Sequence, residues 1–292
     1  MKNMIIDCHY HLNENILPIE NLLKQMDEAG VDRIVLMASM CDQLPHVKET
    51  LLKLNRFLLT HRTFRWLGKK FTENFTPEGD FSILGTSVKI EQDPDNQPVF
   101  DAIENHPNKF LGWIFVNPRG KNDQMQEFNK WKNYTSAIGV KAHPFWHRFA
   151  PMELLPVAEQ VAPMGKPMLL HLGFNDHGNF DALLKAVPDL KLIFAHAAFP
   201  YYSKTWKAIK ENQNVLVDLS QTLYVDEKIT QHVVKLLGAD RCLFGTDGPY
   251  GSPGSQGEFD LGLIKRRIER LFPDKKVQAK LLGENFQNLI KS

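Results

Sequence analysis

Eight short β-rich runs alternate with helix-period patterns along this chain, and that alternation constrains the fold more than any other feature. The runs fall at residues 4–8, 33–38, 110–116, 137–141, 167–171, 190–195, 215–219 and 241–245. Several are apolar almost throughout, as in Lys191-Leu-Ile-Phe-Ala195, which suits strands buried on both faces of a parallel sheet. Between them, apolar residues recur with the helix period. Ile19, Leu22, Leu23 and Met26 lead to a stop at Gly30, and Ile229, Val233, Leu236 and Leu237 run up to Gly238. Strand–helix repeats of this kind predict βαβ units. Eight of them in 292 residues fit one α/β barrel, the (β/α)8 TIM type, over residues 1–292. An open doubly wound sheet is the alternative.

One stretch breaks the rhythm. Residues 41–97 are too long for a simple strand-to-helix connection. They predict a helical insertion after strand two, with Val47, Leu51, Leu54 and Leu58 at the helix period. A basic and aromatic run follows, Arg62-Thr-Phe-Arg-Trp-Leu-Gly-Lys-Lys-Phe71. A lid over the barrel mouth and a solvated excursion or subunit contact are equal readings.

Composition excludes several classes. With 35 basic and 34 acidic residues, no bulk field draws the chain to nucleic acid or acidic lipid. No apolar stretch is long enough to span a membrane. Asp7, His9 and His11 interrupt the first apolar run, which therefore does not read as a signal peptide. Cys8, Cys41 and Cys242 are few, odd in number and far apart, so they predict reduced thiols in a cytoplasmic protein. The partner expected is a small-molecule substrate, and a homo-oligomer is compatible with the sequence.

Barrel active sites lie at the C-terminal ends of the strands. Strand one ends in Asp7-Cys-His-Tyr-His11, where Asp7, His9 and His11 share one face. Two imidazoles so spaced can reach one metal ion, and Asp7 could orient one of them. Strands five, six and eight end in His171, His196 and Asp247. A polar group closing an apolar strand needs a partner, and a shared ion supplies one to all. Alone, His9 would more often be a hydrogen-bonded core histidine, and Asp247 before Gly248-Pro249 could be a turn cap. Taken together, the set favours a metal site. Asp218 and Ser220 end strand seven, and one of the two is expected to face inward. Lys141 and His143 end strand four and Asn117 follows strand three, as candidate substrate contacts. His147 and Arg148 are candidates for the mouth.

The ordered set His9-Tyr-His11, His171, His196 and Gly245-Thr-Asp247 resembles the amidohydrolase superfamily. The contexts Gly139-Val-Lys-Ala-His-Pro144, Gly112-Trp-Ile-Phe-Val-Asn-Pro118 and Leu282-Gly-Glu-Asn285 resemble its amidohydrolase-related branch. That branch contains aminocarboxymuconate-semialdehyde decarboxylase and resorcylate decarboxylases. The resemblance implies that His9, His11, His171 and Asp247 hold one divalent metal, with Asp247 also taking a proton from the activated water. It implies that His196 faces the substrate or a second metal. Zinc suits such ligands, and manganese, iron or cobalt also fit. Lys141, which some members carry in carboxylated form, is read as unmodified. The expected function is hydrolysis of a small amide, ester or lactone. Non-oxidative decarboxylation of a small aromatic acid is the alternative on the same scaffold, with Arg56, Arg62, Arg65, Lys141 and Arg148 as eligible carboxylate anchors. A silent binding protein is the third reading.

Overall fold

A computed structural model describes residues 4–41, 47–76, 79–83, 86–251 and 258–291. Among the described residues ten strands run in chain order. They are β1 Ile6–Leu12, β2 Arg33–Ala38, β3 Phe81–Ile83, β4 Thr86–Val88, β5 Phe110–Phe115, β6 Ala137–Ala142, β7 Pro167–Leu170, β8 Lys191–Phe194, β9 Val215–Asp218 and β10 Cys242–Leu243. Eight form one parallel sheet in the order β1-β2-β5-β6-β7-β8-β9-β10. The sheet curls back on itself. Cys8 N donates to Phe244 O at 3.0 Å, and Asp247 N donates to His9 O at 2.8 Å. This is the expected TIM barrel, with helices between the strands, and all eight expected strands are present.

The apolar runs supply a continuous core. Residues of β2, β5, β7 and β8 such as Val35, Ile114, Leu169 and Ile193 are fully buried. Their neighbours on both faces are apolar, which favours parallel strands covered on each side. The helix Ile19–Ala29 ends where the sequence predicts, because Gly30 adopts φ 66°, a left-handed cap that glycine takes without a Cβ clash. Asp226 caps the helix Glu227–Leu237 by accepting from Ile229 N.

The segment between β2 and the helix Gln97–Asn105 carries two helices, Glu49–Thr60 and Arg65–Thr72. It also carries the antiparallel pair β3–β4, which the helix-period reading did not anticipate. Among the described residues no helix is long and apolar enough to cross a membrane. Residues 42–46 of the expected insertion and residues 252–257 after β10 lie outside the described residues.

Candidate metal centre

Polar side chains from six strands or their ends converge at one mouth of the barrel. On β1, residues two apart point the same way, so Asp7, His9 and His11 all turn inward, and all are buried. His9 Nδ1 lies 2.8 Å from Asp218 Oδ2, and His11 Nδ1 lies 3.0 Å from the Ala38 carbonyl oxygen. Both partners only accept hydrogen bonds. Each imidazole therefore carries a proton on Nδ1, which leaves Nε2 as the atom that a metal ion would take.

Those two Nε2 atoms meet Asp247 Oδ1 at 3.0 and 3.5 Å. Contacts this close need a proton or a cation between the atoms. Ligands about 2.0–2.1 Å from a tetrahedral zinc stand about 3.3 Å apart, close to the observed separations. The three ligand atoms of His9, His11 and Asp247 lie within 4.8 Å of one another. His171 follows β7, and its Nε2 is buried with no hydrogen-bond partner among the described residues. That orphaned atom is a second sign of a missing electrophile. The donor set of imidazoles and one carboxylate fits a divalent ion.

Asp218 organises the other side. It accepts from the backbone N of His196 at 2.9 Å and of Ser220 at 3.0 Å. Ser220 Oγ donates to Asp218 Oδ1 at 2.5 Å. The hydroxyl has one proton to give, so at its 2.8 Å contact with His196 it must accept from Nδ1. His196 Nε2 is then bare. Asp218 and Ser220 are both fully buried. This corrects the expectation that one alone faces inward, since residues two apart share a strand face. Asp7 is corrected too. It accepts from His9 N, Thr246 N and Thr246 Oγ1, while Asp218 is the ring partner of His9.

Electrostatics follow from burial and pairing. Burial opposes charge on Asp247, but His196 and His9, with a bond from His11, hold its carboxyl well below the usual range. Gln221 Nε2 fixes its second oxygen at 2.7 Å. Burial pushes His171 and His143 well below the usual imidazole value and His196 down to about 4. Lys141, fully buried, is pushed down to about 8 against the pull of Asp247 and Asp218. Its Nζ lies 3.5 Å from His9 Nε2.

The local backbone is strained. His196, Ala197, Ala198, Gln221 and Asp247 have φ of 54, 52, 60, 63 and 59°. A left-handed conformation costs a non-glycine residue about 1–2 kcal/mol. Strain of this kind gathers where a site demands a particular side-chain direction.

A narrow cavity opens on the centre, and its lining includes His11, His171 and Asp247. His143, Trp146 and Tyr224 form part of its wall. Asn117 is elsewhere. Its amide donates to Gln92 O and accepts from Arg119 N, and it lines a separate cavity. The sequence reading missed this because Asn-Pro after a strand is as good a turn as a contact. Arg56 donates to Thr222 O and Leu223 O, and Arg148 lies over the Phe75 ring. His147 is buried, with Nε2 at 3.0 Å from Glu91 O. Gln221, Trp146 and Tyr224 were missed outright. Only the position of Gln221 beside the polar end of strand seven gave a usable signal.

A family model for amidohydrolases matches residues 6–286, and the chain belongs to that family. No curated protein sequence matches it. Solved structures match along almost the whole length. 5-Carboxyvanillate decarboxylase from Sphingomonas paucimobilis is 12% identical, covers 99% of both chains and has a TM-score of 0.62. Dihydroxybenzoic acid decarboxylase from Polaromonas, with manganese and 2-nitroresorcinol bound, is 16% identical, covers 99% of this chain and 97% of its own, and has a TM-score of 0.59. A Pseudomonas putida protein provisionally assigned as 2-pyrone-4,6-dicarboxylic acid hydrolase is 14% identical, covers 100% and 98%, and has a TM-score of 0.62.

Proposed function

We propose that this chain is a metal-dependent hydrolase of a small amide, ester or lactone. The supporting observation is the cluster of His9 Nε2, His11 Nε2 and Asp247 Oδ1, three buried ligand atoms close enough to share one cation. In this reading His9, His11, His171 and Asp247 hold one divalent ion, most simply zinc. Such an ion lowers the pKa of water to about 7 and polarises a carbonyl. Asp247, ionised and fixed by Gln221, accepts the proton of the attacking water. The water oxygen bonds to the carbonyl carbon, the C–N or C–O bond breaks, and Asp247 returns the proton to the leaving group. His196 presents a lone pair rather than a proton, so it acts as an acceptor towards water or substrate. Lys141 is unmodified and, beside His9, adds positive charge behind the ligand cluster.

A second reading is non-oxidative decarboxylation. Its support is the aromatic wall, Trp146, Tyr224 and Tyr250, in a lining that holds no lysine or arginine among the described residues. A carboxylate there is poorly solvated, which favours its loss as carbon dioxide. Against it, Asp247 is held ionised and His196 is held neutral, so neither supplies a ready proton for a carbanion. Metal-loaded protein assayed over esters, lactones and aromatic acids decides between them. Proton release without carbon dioxide supports the hydrolase, and stoichiometric carbon dioxide overturns it.

A further inference from the structure

The insertion carries a charge pattern that the whole chain does not share. Residues 50–72 hold six lysines and arginines and no acid, in a chain with 35 basic and 34 acidic residues. The near-neutral total therefore hides a local positive field. Arg56 and Lys69 have acidic partners, Asp226 and Glu73, while Arg62 and Lys70 stand exposed. The same stretch turns large apolar side chains to water. Leu51, Leu54 and Phe57 are exposed at every third position along one side of the helix Glu49–Thr60. On the helix Arg65–Thr72, Trp66, Lys70 and Phe71 fall on the side away from buried Gly68 and Thr72. The Phe57 and Phe64 rings stack 6.2 Å apart across the turn between the helices, which joins their exposed residues. Lys70 Nζ stands 5.7 Å from the Trp66 centroid. Exposed apolar groups gathered in this way mark a docking face, whereas scattered ones do not.

We propose that the exposed face of this helical hairpin docks on an anionic lipid surface, as a peripheral contact that spans nothing. Charge selects the occupant. A second copy of the chain meeting this face about a twofold axis would set basic against basic, which opposes association. An anionic bilayer is attracted by every lysine and arginine near it. The apolar side chains select lipid over an acidic protein. Leucine, phenylalanine and tryptophan enter the boundary between headgroups and acyl chains, and lysine and arginine stems reach out to the phosphates. Such a contact needs no complementary recess and no register. The hairpin also fixes which end of the barrel meets the lipid. Arg65 lies over the Tyr201 ring and Lys69 over the Phe174 ring, 5.6 and 5.9 Å from the centroids. Phe174 and Tyr201 follow β7 and β8, at the rim that carries the metal centre. Docking therefore brings that rim, rather than the opposite end of the barrel, to the interface.

The test uses the full chain with vesicles of phosphatidylcholine alone and of phosphatidylcholine with about a third phosphatidylglycerol. Cosedimentation is expected to show binding to the anionic vesicles about tenfold tighter or more than to the neutral ones, and weaker as salt rises. Arg62→Gln/Lys70→Gln removes two exposed cations and is expected to weaken that binding about thirtyfold. Trp66→Ser/Phe71→Ser is expected to weaken it about tenfold or more. Both double variants should match the unsubstituted protein in circular dichroism and melting temperature, which separates a lost surface from a lost fold. A spectroscopic readout locates the contact. Trp66 is the exposed one of the five tryptophans. Anionic vesicles with brominated acyl chains should quench its emission, and Trp66→Phe should abolish the quenching while keeping the binding. No binding to the anionic vesicles overturns the proposal. So does equal binding to both compositions, binding that survives the two double variants, or emission that the brominated vesicles leave unquenched. Self-association that Trp66→Ser/Phe71→Ser abolishes overturns it as well, since a second copy then covers the face.

Discussion

The strand-end centre and the segment between β2 and Gln97–Asn105 invert one another. In the centre, polar side chains that normally face water are buried, and nearly every one has an assigned partner. In the segment, large apolar side chains that normally seek a core face water. Leu51, Leu54, Phe57, Phe64, Trp66 and Phe71 are between 41 and 64% exposed. Isolated exposed apolar groups are ordinary, but a buried imidazole or carboxylate must be matched or it destabilises the fold. The centre is therefore over-determined by physics, and the segment is under-determined. Mutations should separate the two regions sharply.

The largest effect is expected at the ligands. His9→Ala/His11→Ala removes two of the three acceptor atoms that meet at Asp247. Metal content by elemental analysis is expected to fall from stoichiometric to near zero, and activity by about a thousandfold or more. Retained stoichiometric metal would break the proposed ligand set. The same metal should also stabilise the native protein. At about 100 times its Kd, a ligand that binds only the folded state adds about 2.7 kcal/mol. Thermal unfolding with and without a chelator reads this directly, and the double variant should lose the difference.

Asp218→Asn comes next. It keeps the shape but weakens the Nδ1 contact of His9 and the hydroxyl bond of Ser220. An outer partner of a ligating histidine is typically worth 10–100-fold in metal affinity. A chelator competition should show a loss of about that size, with the fold intact by circular dichroism. An unchanged affinity would show that His9 does not need Asp218 to present its Nε2.

How far the sequence carried these assignments follows the same divide. The barrel was legible because eight apolar runs end at defined places, and the period-two rule then placed Asp7, His9 and His11 on one face. What stayed hidden were contacts between chain-remote residues. Asp218 lies 209 positions from His9, and no local pattern indicates which of several strand-end carboxylates meets which ring. The left-handed turns at His196–Ala198 and Asp247 were hidden for a related reason, since none of these residues is glycine. In the segment, the helix Glu49–Thr60 was legible from periodicity, yet the stripe that revealed it does not define a buried face. Leu51 and Leu54 are exposed, while Leu58 and Leu59 are buried near Gly68 of the next helix. Periodicity reports a helix but not what covers it.

A smaller effect is expected where the two regions join. Arg56 is a buried residue of the segment that reaches the barrel, donating to Thr222 O and Leu223 O. Those carbonyls follow Gln221, which orients Asp247. Arg56→Met keeps the aliphatic stem and leaves two carbonyls short of a donor. A stability loss of about 1–3 kcal/mol is expected by urea unfolding, with activity falling a few-fold and metal affinity unchanged. An equal fall in metal affinity would mean that the segment supports the ligands as well.

The smallest effect belongs to the exposed face itself. Trp66→Ser/Phe71→Ser replaces two side chains that are 62 and 64% exposed. Trp66 has Lys70 near its ring, 5.7 Å from the centroid, a contact worth about 0.5–1 kcal/mol at an exposed site. Removing it offsets what the serines gain in solubility, so stability should change by no more than about 0.5 kcal/mol per residue. Metal content and turnover should match the unsubstituted protein. A change of several kcal/mol would mean that this face is covered in solution, and a concentration-dependent melting temperature would identify the cover as another copy of the chain. Either result would move the segment from the under-determined side of the comparison to the determined one, because its apolar residues would then have the partners that the centre's polar residues already have.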